Sequence, residues 1–185
     1  MRFSSALQQK TKDCHCHELA GLSVKKMDSE TKAAPVWYFG FGSNMKRSVM
    51  QGRGILPLEI RIARVHGYVL TFDVFGLPYS EPSMASIARY HTREGEPKVP
   101  DVCGVAYLLT SEDYKRLVGS EGGGVAYDEI EVEADSWHQG SDVSIEQIRM
   151  RTLVAKFPWR PNASPSKRYL VCNEDLTAAD VRTLD

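Results

Sequence analysis

Two glycine-rich stretches hold the residues of this sequence best suited to chemistry. In Tyr38-Phe39-Gly40-Phe41-Gly42-Ser43-Asn44-Met45, an apolar run stops at two near-adjacent glycines, a serine and an asparagine. Gly40 and Gly42 can take φ > 0, and neither has a Cβ to hold off a bound group. Ser43 and Asn44 are N-cap residue types, so Met45 to Gln51 is expected to make about two helical turns before Gly52. Unpaired backbone N–H groups at such a helix start favour a carboxylate, a phosphate or an oxyanion. An ordinary tight turn from strand to helix would have the same pattern.

Glu121 stands apart among the 24 acidic residues because it follows a predicted helix and precedes Gly122-Gly123-Gly124-Val125-Ala126-Tyr127. Three successive glycines let the chain turn sharply and admit a substrate against the backbone. A carboxylate there, followed by Val125 and Tyr127, is expected to be desolvated and to serve as a proton shuttle. The competing reading is a loop glutamate in solvent. Glu129, Glu131 and Glu133 alternate with Ile130, Val132 and Ala134, the pattern of a half-buried strand with a solvated face. Cys14-His15-Cys16-His17 has metal-binding residue types, but the common zinc sites use pairs separated by about two to four residues and a second pair elsewhere. No metal or cofactor is expected, and Met1 to Ala34 reads as a polar, poorly ordered extension.

These groups need a scaffold. At 185 residues the chain fits one domain with a proper core. Its hydrophobic fraction of 42% and charged fraction of 25% are those of an ordinary globular protein. A net charge of -1 gives no global field toward nucleic acid or an anionic membrane, so neither is an expected partner and any ligand must be recognised locally. No apolar run approaches the roughly eighteen residues of a membrane span, and the start of the chain lacks the apolar core of a secretory signal. A cytoplasmic location is expected, with Cys14, Cys16, Cys103 and Cys172 as reduced thiols.

Strands are expected at Val36 to Phe39, within Arg61 to Phe75 as one long or bulged strand or as two, and at Met84 to Tyr90, Val102 to Leu109, Tyr127 to Ala134 and Gln147 to Phe157. Gly76 to Ser83 and His91 to Pro100 read as loops. Thr110-Ser111-Glu112-Asp113 resembles a capping box opening a helix to Val118, with Gly119 ending it. Ser164-Pro165-Ser166 signals a further helix carrying Tyr169 and Leu170, and a last one is expected to begin within Asp180 to Asp185. Strands outnumber helices without regular alternation. The expected fold is α+β: a single domain over residues 35–185, built on a mixed, curved, barrel-like sheet with few helices.

The sequence resembles the γ-glutamylcyclotransferase family at three linked places. Tyr38 to Met45 is similar to its Tyr-Phe-Gly-Tyr-Gly-Ser-Asn-Leu signature. Ser120-Glu121-Gly122 with Tyr127 resembles its catalytic Glu-Gly segment with a downstream tyrosine, and Pro165-Ser166-Lys167-Arg168-Tyr169-Leu170 its Pro-Ser-x-x-Tyr segment. Phe72 to Tyr79 and Glu81-Pro82-Ser83 resemble the fungal branch, which includes the enzyme of gliotoxin-type epipolythiodioxopiperazine biosynthesis. The resemblance implies attack of a γ-glutamyl α-amine on its own side-chain carbonyl, releasing 5-oxoproline and a free amine.

On this resemblance Glu121 moves the proton. Backbone donors of Gly40, Phe41, Gly42 and Ser43 hold the α-carboxylate, the developing oxyanion or both. Asn44 belongs to the same substrate-binding loop, and Tyr38, Met45 or Phe41 supplies one wall. Tyr127 and Tyr169 are candidate hydroxyl donors to the substrate. Loops such as Gly76 to Ser83 and His91 to Pro100 would build the leaving-group pocket. Phe41 departs from the family's usual Tyr or Ala, and little follows Leu176, so the domain reads as a short or truncated form. The expected partner is a small γ-glutamyl molecule, and the choice between monomer and homodimer stays open. Two rivals remain: a non-catalytic module binding a γ-glutamyl or other small ligand on the same fold, and a phosphate-binding protein. The second lacks both a P-loop lysine and a third glycine at dinucleotide-binding spacing.

Overall fold

A computed structural model of the chain describes residues 33–77, 81–91, 94–95, 99–138, 144–159 and 161–165. Residues 1–32 of the N-terminal extension with its Cys-His cluster, Cys172, the expected helix beyond its start at Ser164 and Pro165, with Tyr169 and Leu170, and the segment Asp180 to Asp185 lie outside the described residues. The strands are β1 (Val36–Gly40), β2 (Glu59–Val65), β3 (Tyr68–Leu77), β4 (Glu81–Arg89), β5 (Val102–Leu109), β6 (Tyr127–Trp137) and β7 (Glu146–Ala155). A 3-10 turn spans Gly42–Met45, and the helices are α1 (Arg47–Gly52) and α2 (Ser111–Ser120).

Five strands close into a barrel in the order β1-β5-β2-β6-β7. The neighbours are antiparallel except β1 and β7, which meet in parallel where Tyr38 faces Arg151. The sheet is therefore mixed and fully curved, as the sequence predicts. All five strands contribute to a cluster containing Phe39, Ala63, Val65, Val102, Ala106, Val132, Ala134 and Met150. A five-stranded barrel has a narrow interior, which explains the alanines. Gly104 on β5 goes further, because a Cβ there would fall on the Gly40 carbonyl oxygen and 2.7 Å from Cζ of Phe39.

Because side chains alternate along a strand, Tyr38 and Tyr107 point to the opposite side from Phe39 and Ala106. They join Met50, Ile55, Tyr114, Leu117, Tyr127 and Leu153 in a second cluster, where the two helices pack on the barrel's outer wall. Burying an aromatic or large aliphatic side chain contributes roughly 1.5–3 kcal/mol, so this cluster is a principal anchor of α1 and α2.

The apolar stretch from Arg61 to Phe75 is two strands, broken at His66-Gly67, where Gly67 has φ 71°. They do not pair with each other. β2 lies in the barrel between β5 and β6, whereas β3 pairs with β4 in a separate two-stranded sheet, bulged between Phe72 and Val74. The expected loop from Gly76 to Ser83 is largely ladder, since β3 and β4 stay paired out to Leu77 and Glu81. The Ser86 hydroxyl accepts a hydrogen bond from the Ala155 N–H at 2.7 Å, and the Tyr127 hydroxyl donates to the Ala85 carbonyl at 3.1 Å, tying this hairpin to the barrel.

Candidate active site

β1 delivers Tyr38 and Gly40 to the barrel's outer wall, and the chain then doubles back tightly. A Cβ on Gly40 would lie 2.9 Å from the Asn44 carbonyl oxygen and 3.3 Å from the Tyr107 ring. Gly42 has φ 59°. Both positions therefore demand glycine, for different reasons: close approach at Gly40 and backbone conformation at Gly42. The Tyr107 hydroxyl donates to the Met45 carbonyl at 2.8 Å and pins the end of the turn.

The expected capping by Ser43 or Asn44 does not occur. After the 3-10 turn, Lys46 is extended, and α1 begins at Arg47 without a side-chain cap. Asn44 has other partners: its Nδ2 donates to the Tyr38 hydroxyl oxygen at 3.0 Å and to Glu121 Oε1 at 3.1 Å. Its Oδ1 accepts from Arg53 Nη1 at 2.9 Å. An amide buried to 9% exposure with such partners is not available to cap a helix.

Glu121 is fixed by the way α2 ends. Thr110 accepts the Asp113 N–H at 3.1 Å, so the expected N-terminal cap is present. At the other end the helix continues through Gly119 to Ser120 instead of stopping at Gly119. The Gly123 N–H bonds to the Val118 carbonyl at 3.0 Å and the Gly122 N–H to the Gly119 carbonyl at 3.2 Å, with Gly122 at φ 93°. This is a Schellman motif with Glu121 at its C-cap. Gly123 and Gly124 also have positive φ, at 57° and 84°, so the whole triplet bends the chain in a way few other residues allow.

The Glu121 side chain, 17% exposed, forms an ion pair with Arg53 Nη2 at 2.7 Å. Its neighbours are thus a guanidinium and an amide. The expected apolar seat is not built by Val125, which is 76% exposed. Tyr38 is buried beside this pair, and burial first, then the Glu121 charge, pushes its phenol far above its ordinary value of 10.0. Its hydroxyl stays neutral, and it can accept from Asn44 or donate but cannot act as a phenolate base.

The structure thus brings Tyr38, Gly40, Gly42, Asn44 and Glu121 together. The other expected site residues sit differently. Phe41 turns into the barrel cluster, 6.4 Å from the Phe39 ring. Ser43 is the exposed residue of the turn. Tyr127 is packed in the outer cluster with its hydroxyl on Ala85, and Tyr169 lies outside the described residues. Sequence reasoning missed Arg53, whose only local signal is a cation between Gly52 and Gly54 at the end of the glycine-loop helix.

A cleft of about 330 Å³ opens elsewhere, between the β3–β4 hairpin and β6–β7, lined by residues including Tyr68, Asp73, Arg89, Glu131 and Pro158. None of the Glu121 network lines it. Among the described residues no group of His, Cys, Asp and Glu side chains is arranged to hold a metal ion, and no helix is long and apolar enough to cross a membrane.

No protein-family model matches the chain. Individual relatives do. It is 46% identical over 161 residues to the gamma-glutamyl cyclotransferase gliK of Aspergillus fumigatus, covering 77% of this chain but 59% of that protein. It is 42% identical over 147 residues to the gamma-glutamyl cyclotransferase verK of Clonostachys rogersoniana, covering 74% of this chain and 82% of that protein. The chain therefore spans somewhat more than half the length of the Aspergillus relative and most of the Clonostachys one. Among solved structures, a gamma-glutamyl cyclotransferase matches with a TM-score of 0.58 over 82% of this chain and 88% of the other, at 17% identity. One from yeast, described as specific to glutathione, matches at 0.51 over 71% and 75%, at 14% identity. The solved structures share the fold, and the identity to the two fungal relatives over about three quarters of this sequence shows that the chain belongs to the gamma-glutamyl cyclotransferase family.

Proposed function

We propose that the protein is a γ-glutamylcyclotransferase that releases 5-oxoproline and a free amine from a small γ-glutamyl substrate. The observation that supports this best is the placement of Glu121: a carboxylate fixed at a helix end and hydrogen-bonded to Asn44 of the glycine loop. The reaction needs few protein groups because nucleophile and electrophile belong to one molecule. Well-oriented intramolecular reactions reach effective molarities of about 10⁵ M or more. What remains is to hold the glutamyl chain in its cyclising rotamer, stabilise the oxyanion and move protons.

In this reading Glu121 takes a proton from the α-ammonium, and the freed amine attacks the side-chain carbonyl carbon. The new N–C bond closes the five-membered ring and places charge on the carbonyl oxygen, which the backbone donors of the Gly40 to Ser43 turn stabilise. Collapse breaks the original amide bond while the proton held by Glu121 passes to the departing nitrogen, and the ring nitrogen sheds its second proton to solvent as the lactam forms, the released amine taking up one in turn to leave as an ammonium. The carboxylate is thereby restored. Tyr127 and Tyr169 remain candidates for contacts to the substrate. The net charge of -1 supports a small molecule, recognised locally, rather than nucleic acid or an anionic membrane as the partner. The similarity to the fungal relatives supports a glutathione adduct of a secondary metabolite as the preferred donor.

The test is release of 5-oxoproline by the purified chain from three donors: glutathione, a γ-glutamyl dipeptide and a bulky glutathione adduct. Glu121→Gln is expected to lower turnover by about 10² or more, the lower bound of general acid-base catalysis. Full activity in a folded Gln variant would remove Glu121 from the mechanism. Turnover of small dipeptides equal to that of the adduct would remove the substrate preference.

A further inference from the structure

Arg53 belongs to neither glycine-rich segment, yet it joins them. Its backbone N–H is still bonded to the Val49 and Met50 carbonyls at the end of α1, and Gly54, at φ 70°, turns the chain away behind it. The base of the side chain is therefore fixed. From there Nη2 reaches Glu121 Oε1 at 2.7 Å and Nη1 reaches Asn44 Oδ1 at 2.9 Å, while Asn44 Nδ2 itself donates to Glu121 Oε1 at 3.1 Å. The result is a closed triangle of bonds between the end of α1, the glycine turn and the end of α2. Among the described residues every hydrogen bond to the Glu121 carboxylate falls on Oε1, which leaves Oε2 as the oxygen able to meet a substrate proton.

We propose that Arg53 is a positioning residue for the cyclisation: its planar fork locks Glu121 Oε1 against Asn44 and so presents Oε2 to the substrate nitrogen. This rests on the cyclotransferase reading above. An N–H bond of the substrate ammonium breaks as the O–H bond at Oε2 forms. That O–H bond then breaks as the leaving nitrogen gains its proton, with the Arg53 pair in place throughout. The fork matters beyond its charge, because a lysine ammonium matches the charge but lacks the rigid pair of donors that spans both acceptors. An orienting group of this kind affects kcat rather than substrate affinity.

The experiment measures kcat and KM for 5-oxoproline release by the wild type, Arg53→Gln, Arg53→Lys, Glu121→Gln and the Arg53→Gln/Glu121→Gln double variant, with folding checked by circular dichroism. Arg53→Gln is expected to lower kcat on the order of 10–100-fold, as when other hydrogen-bonded orienting groups are removed, with KM nearly unchanged. Arg53→Lys should fall between it and the wild type. The double variant should be no slower than Glu121→Gln alone, because Arg53 acts through the carboxylate. Losses that multiply in the double variant would overturn the proposal, as would unchanged kcat in Arg53→Gln or a raised KM at constant kcat. If Arg53→Gln does not fold, Arg53→Lys carries the test, and wild-type kcat in it would refute the fork. A wild-type chain that releases no 5-oxoproline would overturn the functional reading itself, a result visible without any variant.

Discussion

Asn44 shows why this loop ends in an amide rather than a carboxylate. Its two N–H bonds meet the Tyr38 hydroxyl oxygen and Glu121 Oε1, and its carbonyl meets Arg53; an aspartate could take a proton from the Tyr38 hydroxyl but would set a second carboxylate oxygen against Glu121 Oε1. The Tyr38 hydroxyl is the one member that reaches the carboxylate only through Asn44. Tyr38→Phe should therefore cost about 1 kcal/mol of unfolding free energy, the worth of one buried hydrogen bond, measured by urea denaturation, and should leave most of the turnover intact. A loss as large as that expected for Glu121→Gln would mean that the hydroxyl itself handles a proton. The glycines, Asn44 and Glu121 were legible in the sequence because residue type and immediate neighbours carry their signal. Arg53 was not, because its place in the site comes entirely from contacts with residues distant in the chain.

At the scale of elements, most strands were legible from their apolar runs, and the Thr110 cap from its residue pattern. Pairing was not, since nothing local to Arg61 to Phe75 shows that its halves enter different sheets. That partition is decided by distant partners: β5 and β6 for one half, β4 for the other. The sequence pattern ends α2 at Val118, short of its end at Ser120, because Gly119 and Gly122 look alike in sequence and only the backbone separates them. Gly119 lies inside the helix with open space where a Cβ would go, whereas Gly122 sits at φ 93°. Gly119→Ala should accordingly stabilise the protein by about 0.5–1 kcal/mol, the helix propensity gain. Gly122→Ala should destabilise it by about 1–2 kcal/mol through the forced left-handed conformation. The latter should also lower turnover, because it disturbs the cap that holds Glu121. Equal effects of the two substitutions in a thermal melt would show that the Schellman motif does not position this helix end.

At the scale of the whole barrel, closure brings together residues that no local pattern links, and His66 is the clearest case. It sits in the turn after β2, with Nδ1 2.9 Å from Asp101 Oδ2 at the start of β5 and Nε2 2.7 Å from Asp135 Oδ2 on β6. These are the two barrel neighbours of β2, so one imidazole clamps three adjacent strands at their shared end. The hydrogen bond to Asp135, followed by that to Asp101, outweighs desolvation and raises the His66 value above its ordinary 6.5. A histidine whose folded value is raised stabilises the fold fully below its unfolded value, and that contribution is lost as pH rises through the folded one. The clamp should therefore be strongest below about pH 6.5 and should fade above it. Because the ring is about half exposed, solvent screening limits the effect to about 1 kcal/mol or less. His66→Asn isolates the contribution from the other histidines. The wild type should be the more stable of the two in mildly acidic buffer, and the gap in melting temperature should shrink as the buffer becomes alkaline. A gap that stays constant across that range would mean that His66 acts as a neutral hydrogen-bonding spacer and that the barrel end is held without a charged clamp.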